Sequence, residues 1–322
     1  MRCWVRGVVM LVLVLSAVAQ AADMFPVLVV RPEQPTFAAA AASLQGELGP
    51  RYAITTLVAP AQDDGAALPG LAQHLALSTG QAPRVVVAFD NRVIRAVRAA
   101  VGPGGPPVVA AMGLNLMQEL SPAAGVCGVS FDVAPFTLVT RFQALTHSRI
   151  RAVLLPYRGQ AFATQVADAI RQLDRAGIRV VARDVTADGA DPQRIAWVLE
   201  RYLAGWAAEE GIDAVVVPSD SVLVNRRTLP LWIKVGRRSS RPFLTGIEAL
   251  ATPDLSLCVF AAAPDPQGIG SQVAQLVVQL VEDRATPAQL GIEPPIQILS
   301  RWDPTQADRL GLTLHDPAQD LP

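Results

Sequence analysis

From Pro26 onward, short runs of aliphatic and β-branched residues alternate with longer amphipathic stretches, and the whole alternation is run through twice. Pro26 to Val30, Ala53 to Val58, Arg84 to Phe89 and Pro107 to Ala111 are apolar at nearly every position, as strands covered on both faces must be. Between them, Thr36 to Leu48, Leu68 to Thr79 and Asn91 to Val101 have helical composition. The series restarts with strands at Ile150 to Leu155, Ile178 to Arg183, Ala214 to Val217 and Phe243 to Thr245. Its helices carry apolar stripes at the helical period: Phe162, Val166, Ala169, Ile170 and Leu173 in one, Ile195, Val198, Leu199, Tyr202, Leu203 and Trp206 in the other. Doubly buried strands alternating with helices predict α/β architecture with parallel sheets. Two series predict two Rossmann-like parallel-sheet lobes joined by a multi-stranded hinge.

The expected boundaries follow from where the series restarts. Residues 22–129 form the first lobe and 130–246 the second, with Ser121 to Gly125 near the boundary. Strands at Leu257 to Ala261 and Pro295 to Leu299, and a helix from Pro266 to Asp283, follow the second series. They predict a return to the first lobe by 247–284 and a C-terminal segment, 285–322, near the hinge. The pairs Asp191-Pro192, Asp265-Pro266 and Asp303-Pro304 read as helix starts, with aspartate as N-cap and proline at the first helical position.

Residues 1–21 read as a signal peptide. Arg2 and Arg6 precede the apolar run Val8 to Leu15, and Ala19-Gln20-Ala21 supplies a small-x-small cleavage pattern. The run is too short to span a bilayer. Cys3 lies ahead of it, where a lipoprotein signal needs a cysteine just behind. Cleavage before Ala22 and a periplasmic, soluble mature chain are expected.

With 322 residues, 51% hydrophobic and 17% charged, the chain can bury a large core and is unsuited to disorder. The formal net charge is -1, and no basic run interleaved with aromatics occurs, so nucleic acid is not an expected partner. Cys127 and Cys258 follow the signal segment in apolar runs, which leaves open two independent buried thiols or one disulfide. His74, His147 and His315 are scattered, giving no zinc pattern, and no metal or cofactor is expected.

Catalytic signatures are sparse. No phosphate loop ending in Gly-Lys-Ser/Thr, nucleophile elbow or zinc helix is present, and Gly268-Ile269-Gly270 lacks the spacing of a dinucleotide fingerprint. Nothing in the spacing of Ser130 and His147 supports a triad. Polar residues do stand at the carboxyl ends of strands, where open α/β sheets bind ligands: Asp90, Asn91, Asn115, Ser130, Tyr157, Arg158, Ser219, Asp220, Ser221 and Glu248. For most of these a helix cap or turn is the simpler reading. Ser219-Asp220-Ser221 stands out, because three small polar residues follow a fully apolar strand and the next helix is expected only from about Leu223. Hydroxyls and backbone N–H groups there suit an anionic group, and Asp220 a cation.

These residues carry a resemblance. Gly128-Val129-Ser130, the run Asp213 to Ser221, Asn225 to Lys234, Cys258 to Val281 and Ala307 to Leu312 resemble the substrate-binding proteins of ABC transporters. Within the periplasmic-binding-protein type I group, the likeness is to the family with aromatic-amino-acid-binding members. It covers most of the mature chain and is weaker in the first half, where Phe89-Asp90-Asn91 and Gly113-Leu114-Asn115 depart from the family's usual segments. The resemblance implies a non-enzymatic monomer that binds a small ligand between its lobes and hands it to a membrane permease. Hinge closure would follow from ligand contacts favouring the closed state. Asp90, Asn115, Ser130, Tyr157, Ser219, Asp220, Ser221 and Glu248 are its expected ligand-binding residues, with Asp220 the partner for a ligand ammonium. Two other classes compete: a sensor or accessory module for a membrane kinase or export machine, and an exported α/β hydrolase.

Export gives the first test: N-terminal sequencing of the secreted protein should begin at Ala22 or within a residue or two. A chain retained in the cytosol with Met1 intact would defeat the reading.

Overall fold

The computed structural model describes residues 24–60, 68–77, 82–120, 125–187 and 189–315. The signal segment and its cleavage site lie outside them. The chain divides into two units, residues 1–131 with 266–296 and residues 132–265 with 297–322, so it passes from one to the other three times.

The first unit is built on a fully parallel six-stranded sheet. Its strands are β1 (Phe25–Pro32), β2 (Tyr52–Ala59), β3 (Val85–Phe89), β4 (Val108–Gly113), β5 (Val126–Ser130) and the short β11 (Ile292–Glu293), in the order β11-β5-β4-β3-β1-β2. Successive side chains enter opposite cores. Val27, Val29, Val85, Val87 and Phe89 face one side, where they meet helices α1 (Pro35–Leu48) and α9 (Pro266–Val281). Leu28, Val30, Val86 and Ala88 face the other, against α3 (Asn91–Val101) and α2 (Leu71–Leu77). This is the double burial that the unbroken apolar runs require.

The second unit repeats the plan with β6 (Ala152–Tyr157), β7 (Arg179–Asp184), β8 (Ala214–Val217), β9 (Phe243–Thr245), β10 (Phe260–Pro264) and β12 (Ile298–Trp302). The order is β12-β10-β9-β8-β6-β7, parallel except for the antiparallel edge strand β12. Helices α5 (Pro135–Thr146), α6 (Gly159–Arg175) and α11 (Pro304–Leu310) contribute to one core. The other core holds α7 (Pro192–Ala207) and α8 (Leu229–Arg238). Asp191 and Asp303 cap α7 and α11 as their Asp-Pro pairs predicted, each carboxylate accepting two backbone N–H groups.

Four boundaries differ from expectation. Residues 247–265 stay in the second unit instead of returning to the first, because β10 extends the second sheet beside β9 and Leu257 and Cys258 bury in its core. The return comes at Pro266, and 285–296 go with it, β11 pairing with β5. The first unit also runs through Phe131, so Ser130 ends a strand of the first sheet instead of opening the second lobe. Finally, α8 starts at Leu229, not near Leu223. Asn225 explains the delay: its Oδ1 accepts the Arg227 and Thr228 N–H groups while its Nδ2 donates to the Val222 carbonyl. Side-chain bonds of this kind offer the backbone an alternative to helix. Thr228 Oγ1 and Trp232 Nε1 both donate to the Leu223 carbonyl and tie the loop down.

Cys127 and Cys258 are free, each sealed in the core of a different unit. Burial, with Glu293 nearby, pushes the Cys127 thiol up to about 12, and burial holds Cys258 well above its ordinary value, so neither is a ready nucleophile. Among the described residues no helix is long and apolar enough to cross a membrane.

The return helix α9 packs on α1 so closely that a Cβ on Gly270 would stand 2.2 Å from the Ala40 carbonyl oxygen and 2.7 Å from Ser43 Cβ. Gly270→Val should therefore lower stability by about 1–3 kcal/mol through overpacking. Gly46, inside α1 with no atom within 4 Å of an added Cβ, is the control: Gly46→Ala should raise stability by about 0.5–1 kcal/mol. Denaturant midpoints decide, and a tolerated Gly270→Val would refute the close packing.

Candidate functional site

In each sheet the connections diverge to either side of the first strand, at β1 in one and β6 in the other. Ligands of open α/β sheets bind where the order reverses, outside the carboxyl ends. The residues singled out from sequence stand at such ends. They form two groups, one in each unit.

In the first unit, Asp90 follows β3 and caps α3, its Oδ1 accepting the Arg92 N–H at 2.9 Å with φ at 77°. Asn91 clamps the loop after β4: its Oδ1 accepts the Leu114 N–H at 2.7 Å, and its Nδ2 donates to the Leu114 carbonyl and to Glu119. A Cβ on Gly113 would meet Asn91 Oδ1 at 2.6 Å, so only glycine lets the clamp close. Asn115, buried and in the left-handed conformation asparagine tolerates, starts the short helix α4 (Leu116–Glu119), and its Nδ2 donates to Gln118. Ser130 is buried at the end of β5, beside Gly113. Most of this polar set is spent on holding its own loops.

The second unit differs. Asp220, beyond β8, has a side chain only 1% exposed and accepts from two partners. Its Oδ1 takes the Val222 N–H at 2.8 Å, and its Oδ2 takes Arg158 Nε at 2.5 Å. Arg158 follows β6, the neighbouring strand, at the N-cap position of α6, and its guanidinium carbon lies 5.2 Å from the centre of the Phe162 ring. Its side chain is 27% exposed. Ser219 approaches Gly246, where a Cβ would stand 2.8 Å from the serine hydroxyl. Ser221 is exposed and Tyr157 half-buried. Glu248, past β9, is paired with Arg301 of the edge strand at 2.6 Å, both side chains largely exposed.

Asp184, at the end of β7, holds the start of α6. Its Oδ1 accepts from Gly159 N–H, Thr186 N–H and Thr186 Oγ1 at 2.7–2.8 Å. A Cβ on Gly159 would meet Thr186 Oγ1 at 2.6 Å, which reserves the position for glycine.

Arg158 was named among the polar residues at strand ends but not among the expected ligand-binding ones, and Phe162 and Asp184 were in neither group. A signal for Arg158 was available: a cation at a helix N-terminus opposes the helix dipole and calls for a nearby anion. Asp184 and Asp220 come from distant strands, and no sequence spacing links them to it. His147 and His315, scattered in sequence, also meet, with ring centres 4.4 Å apart. Among the described residues, no group of three or more metal-ligating side chains forms.

No protein-family model matches the chain, and no curated protein matches it. Solved structures do. The ABC domain from Streptococcus pneumonia in complex with L-Trp is 17% identical, with a TM-score of 0.57 over 92% of this chain and 98% of that one. The ligand-free, open substrate-binding protein with adhesive properties from Clostridium difficile is 13% identical, with a TM-score of 0.62 over 92% and 97%. The periplasmic ribose ABC transporter protein from Conexibacter woesei is 15% identical, with a TM-score of 0.53 over 90% and 96%.

Asp184 supplies a pH test. Burial works to raise its pKa, but the hydrogen bonds from Thr186 Oγ1, Thr186 N–H and Gly159 N–H outweigh it and leave the carboxyl below its ordinary value. A carboxylate depressed in the folded state contributes stability that is complete above the unfolded pKa, about 3.9, and lost as pH falls through the folded one. Asp184→Asn should cost about 1 kcal/mol at pH 7 and flatten the stability profile below about pH 4. Unfolding curves from pH 7 to pH 2 read it; an unchanged acid limb would remove Asp184 from the account. Two mostly parallel α/β sheets, interleaved with helices and shared over nearly the full length with these neighbours, give this chain the periplasmic binding protein type I fold.

Proposed function

We propose that this chain is an exported solute-binding protein of an ABC-type uptake system, binding a small molecule at the carboxyl ends of its sheets and passing it to a membrane permease. The observation that carries the reading is the polar group at the reversal point of the second sheet: Arg158 and Asp220 pair beyond the carboxyl ends of the neighbouring strands β6 and β8, with Ser219 and Ser221 flanking Asp220 in the chain. The fold is that of the L-Trp-bound, open substrate-binding and ribose-transport proteins above. Export rests on Arg2, Arg6 and Ala19-Gln20-Ala21.

The chemistry is binding without covalent change. Both cysteines are buried. His147 closes α5 with its ring against His315. Tyr157, Ser219 and Ser221 are the ligand-side polar groups we assign in the second unit, with Glu248 at its margin. Asp90, Asn115 and Ser130 are those of the first. Amino acids and small sugars are the ligand classes to try, since one neighbour is in complex with L-Trp and another is a periplasmic ribose ABC transporter protein.

A thermal-shift screen of amino acids, pentoses, polyols and small organic acids on the mature protein tests the reading. A true ligand at 100 times its dissociation constant should stabilise the chain by roughly 2.7 kcal/mol, a shift of several degrees. No shift with any compound at millimolar concentration would overturn solute binding.

A further inference from the structure

We propose that the solute carries a carboxylate, and that Arg158 holds it through its two Nη nitrogens; the inference rests on the solute-binding reading above and names the ligand class for the same site. The argument starts from what Asp220 leaves undone. A guanidinium can meet a carboxylate with two parallel hydrogen bonds, but here Asp220 takes only Nε, through one oxygen, and gives its other oxygen to the Val222 N–H. Among the described residues, the Nη pair of Arg158 has no hydrogen-bond partner, and the side chain keeps 27% of its exposure. The pair is therefore oriented without being used up. Phe162 stands beside the guanidinium, whose central carbon lies 5.2 Å from the ring centre, within cation–π range.

Beside Arg158 the same geometry offers no place for a cation or a sugar as the anchoring group, whatever else the solute carries. An ammonium would need an accessible acceptor, but Asp220 is 1% exposed with both oxygens engaged, and Asp184 is occupied by Gly159 and Thr186. A sugar is best recognised by adjacent donors and acceptors together, since each hydroxyl both gives and takes a hydrogen bond. Arg158 offers donors only, set at the start of α6, where the helix dipole also favours an anion, and the Glu248 carboxylate at the margin is already paired with Arg301. The matching ligand group accepts only, is planar and is negatively charged. A carboxylate meets all three conditions.

The test uses acid and amide pairs that differ at this one group. Mature protein is titrated calorimetrically with L-tryptophan and tryptophanamide, L-leucine and leucinamide, indole-3-propionate, D-ribose and myo-inositol. A carboxylate probe should bind, and its amide should bind about 10- to 150-fold more weakly, the loss expected for a hydrogen bond to a charged group. Arg158→Gln alone strands a buried carboxylate and risks the fold. The double variant Arg158→Gln, Asp220→Asn removes both charges together; it should melt cooperatively and bind acid and amide alike. Two results overturn the carboxylate while leaving solute binding intact: a sugar or amide that binds as tightly as the acids, or an acid preference that survives in the double variant. Failure of every probe to bind overturns both.

Discussion

Every strand in both sheets but the edges is covered on two sides, and that constraint decides where polarity can go. A polar side chain inside β3, β6 or β8 would enter one core or the other without a partner, at a cost of about 1–3 kcal/mol. Polar groups are therefore driven to the strand ends. In a parallel sheet all the carboxyl ends lie along one edge, so the chemistry of each unit collects there without any residue having been chosen for proximity in sequence. The reversal of strand order at β1 and β6 then opens that edge, because successive helices leave on opposite faces.

What each unit does with its edge is different. In the first, Asp90 caps α3 and Asn91 bridges to the loop after β4, so the side chains are committed to fixing backbone. In the second, the loop between β8 and α8 is satisfied by Asn225, Thr228 and Trp232, residues that stand beyond Asp220 in the chain. Asp220 gives that loop one carboxylate oxygen, to the Val222 N–H, and turns the other towards β6. A buried carboxylate without a cation would be strongly destabilising, so the pairing with Arg158 is also a condition for the loop to hold its shape.

The strands and most helices were legible in the sequence because their signal is local. Ala214 to Val217, Phe243 to Thr245 and Asn91 to Val101 coincide with the observed elements, since apolar runs and helical stripes are read within one segment. The chain's returns between units were not legible in the same way. Whether Phe260 to Pro264 pairs with β9 or crosses to the first sheet depends on which core Leu257 and Cys258 enter, and both cores accept apolar residues equally. The site shows the same division. Asp220 was visible as a polar residue after an apolar strand, but its partner stands 62 residues earlier, and only the β6–β8 pairing brings the two together.

Arg158 is the residue in which these arguments meet. Its place at the start of α6 is unfavourable on the helix dipole alone, where a serine or aspartate is the favoured residue, and its pairing with the buried Asp220 offsets that cost. Asp184, reaching across from β7, already performs the N-terminal bonding that such a residue would supply. The arginine is thus dispensable for ending the strand and starting the helix. What it adds is a forked donor held on one side by a buried carboxylate, with Phe162 beside it and its outer edge uncommitted. A side chain that is fixed by a buried carboxylate, while its strongest hydrogen-bonding edge stays unfilled, is placed for a group the chain itself does not contain.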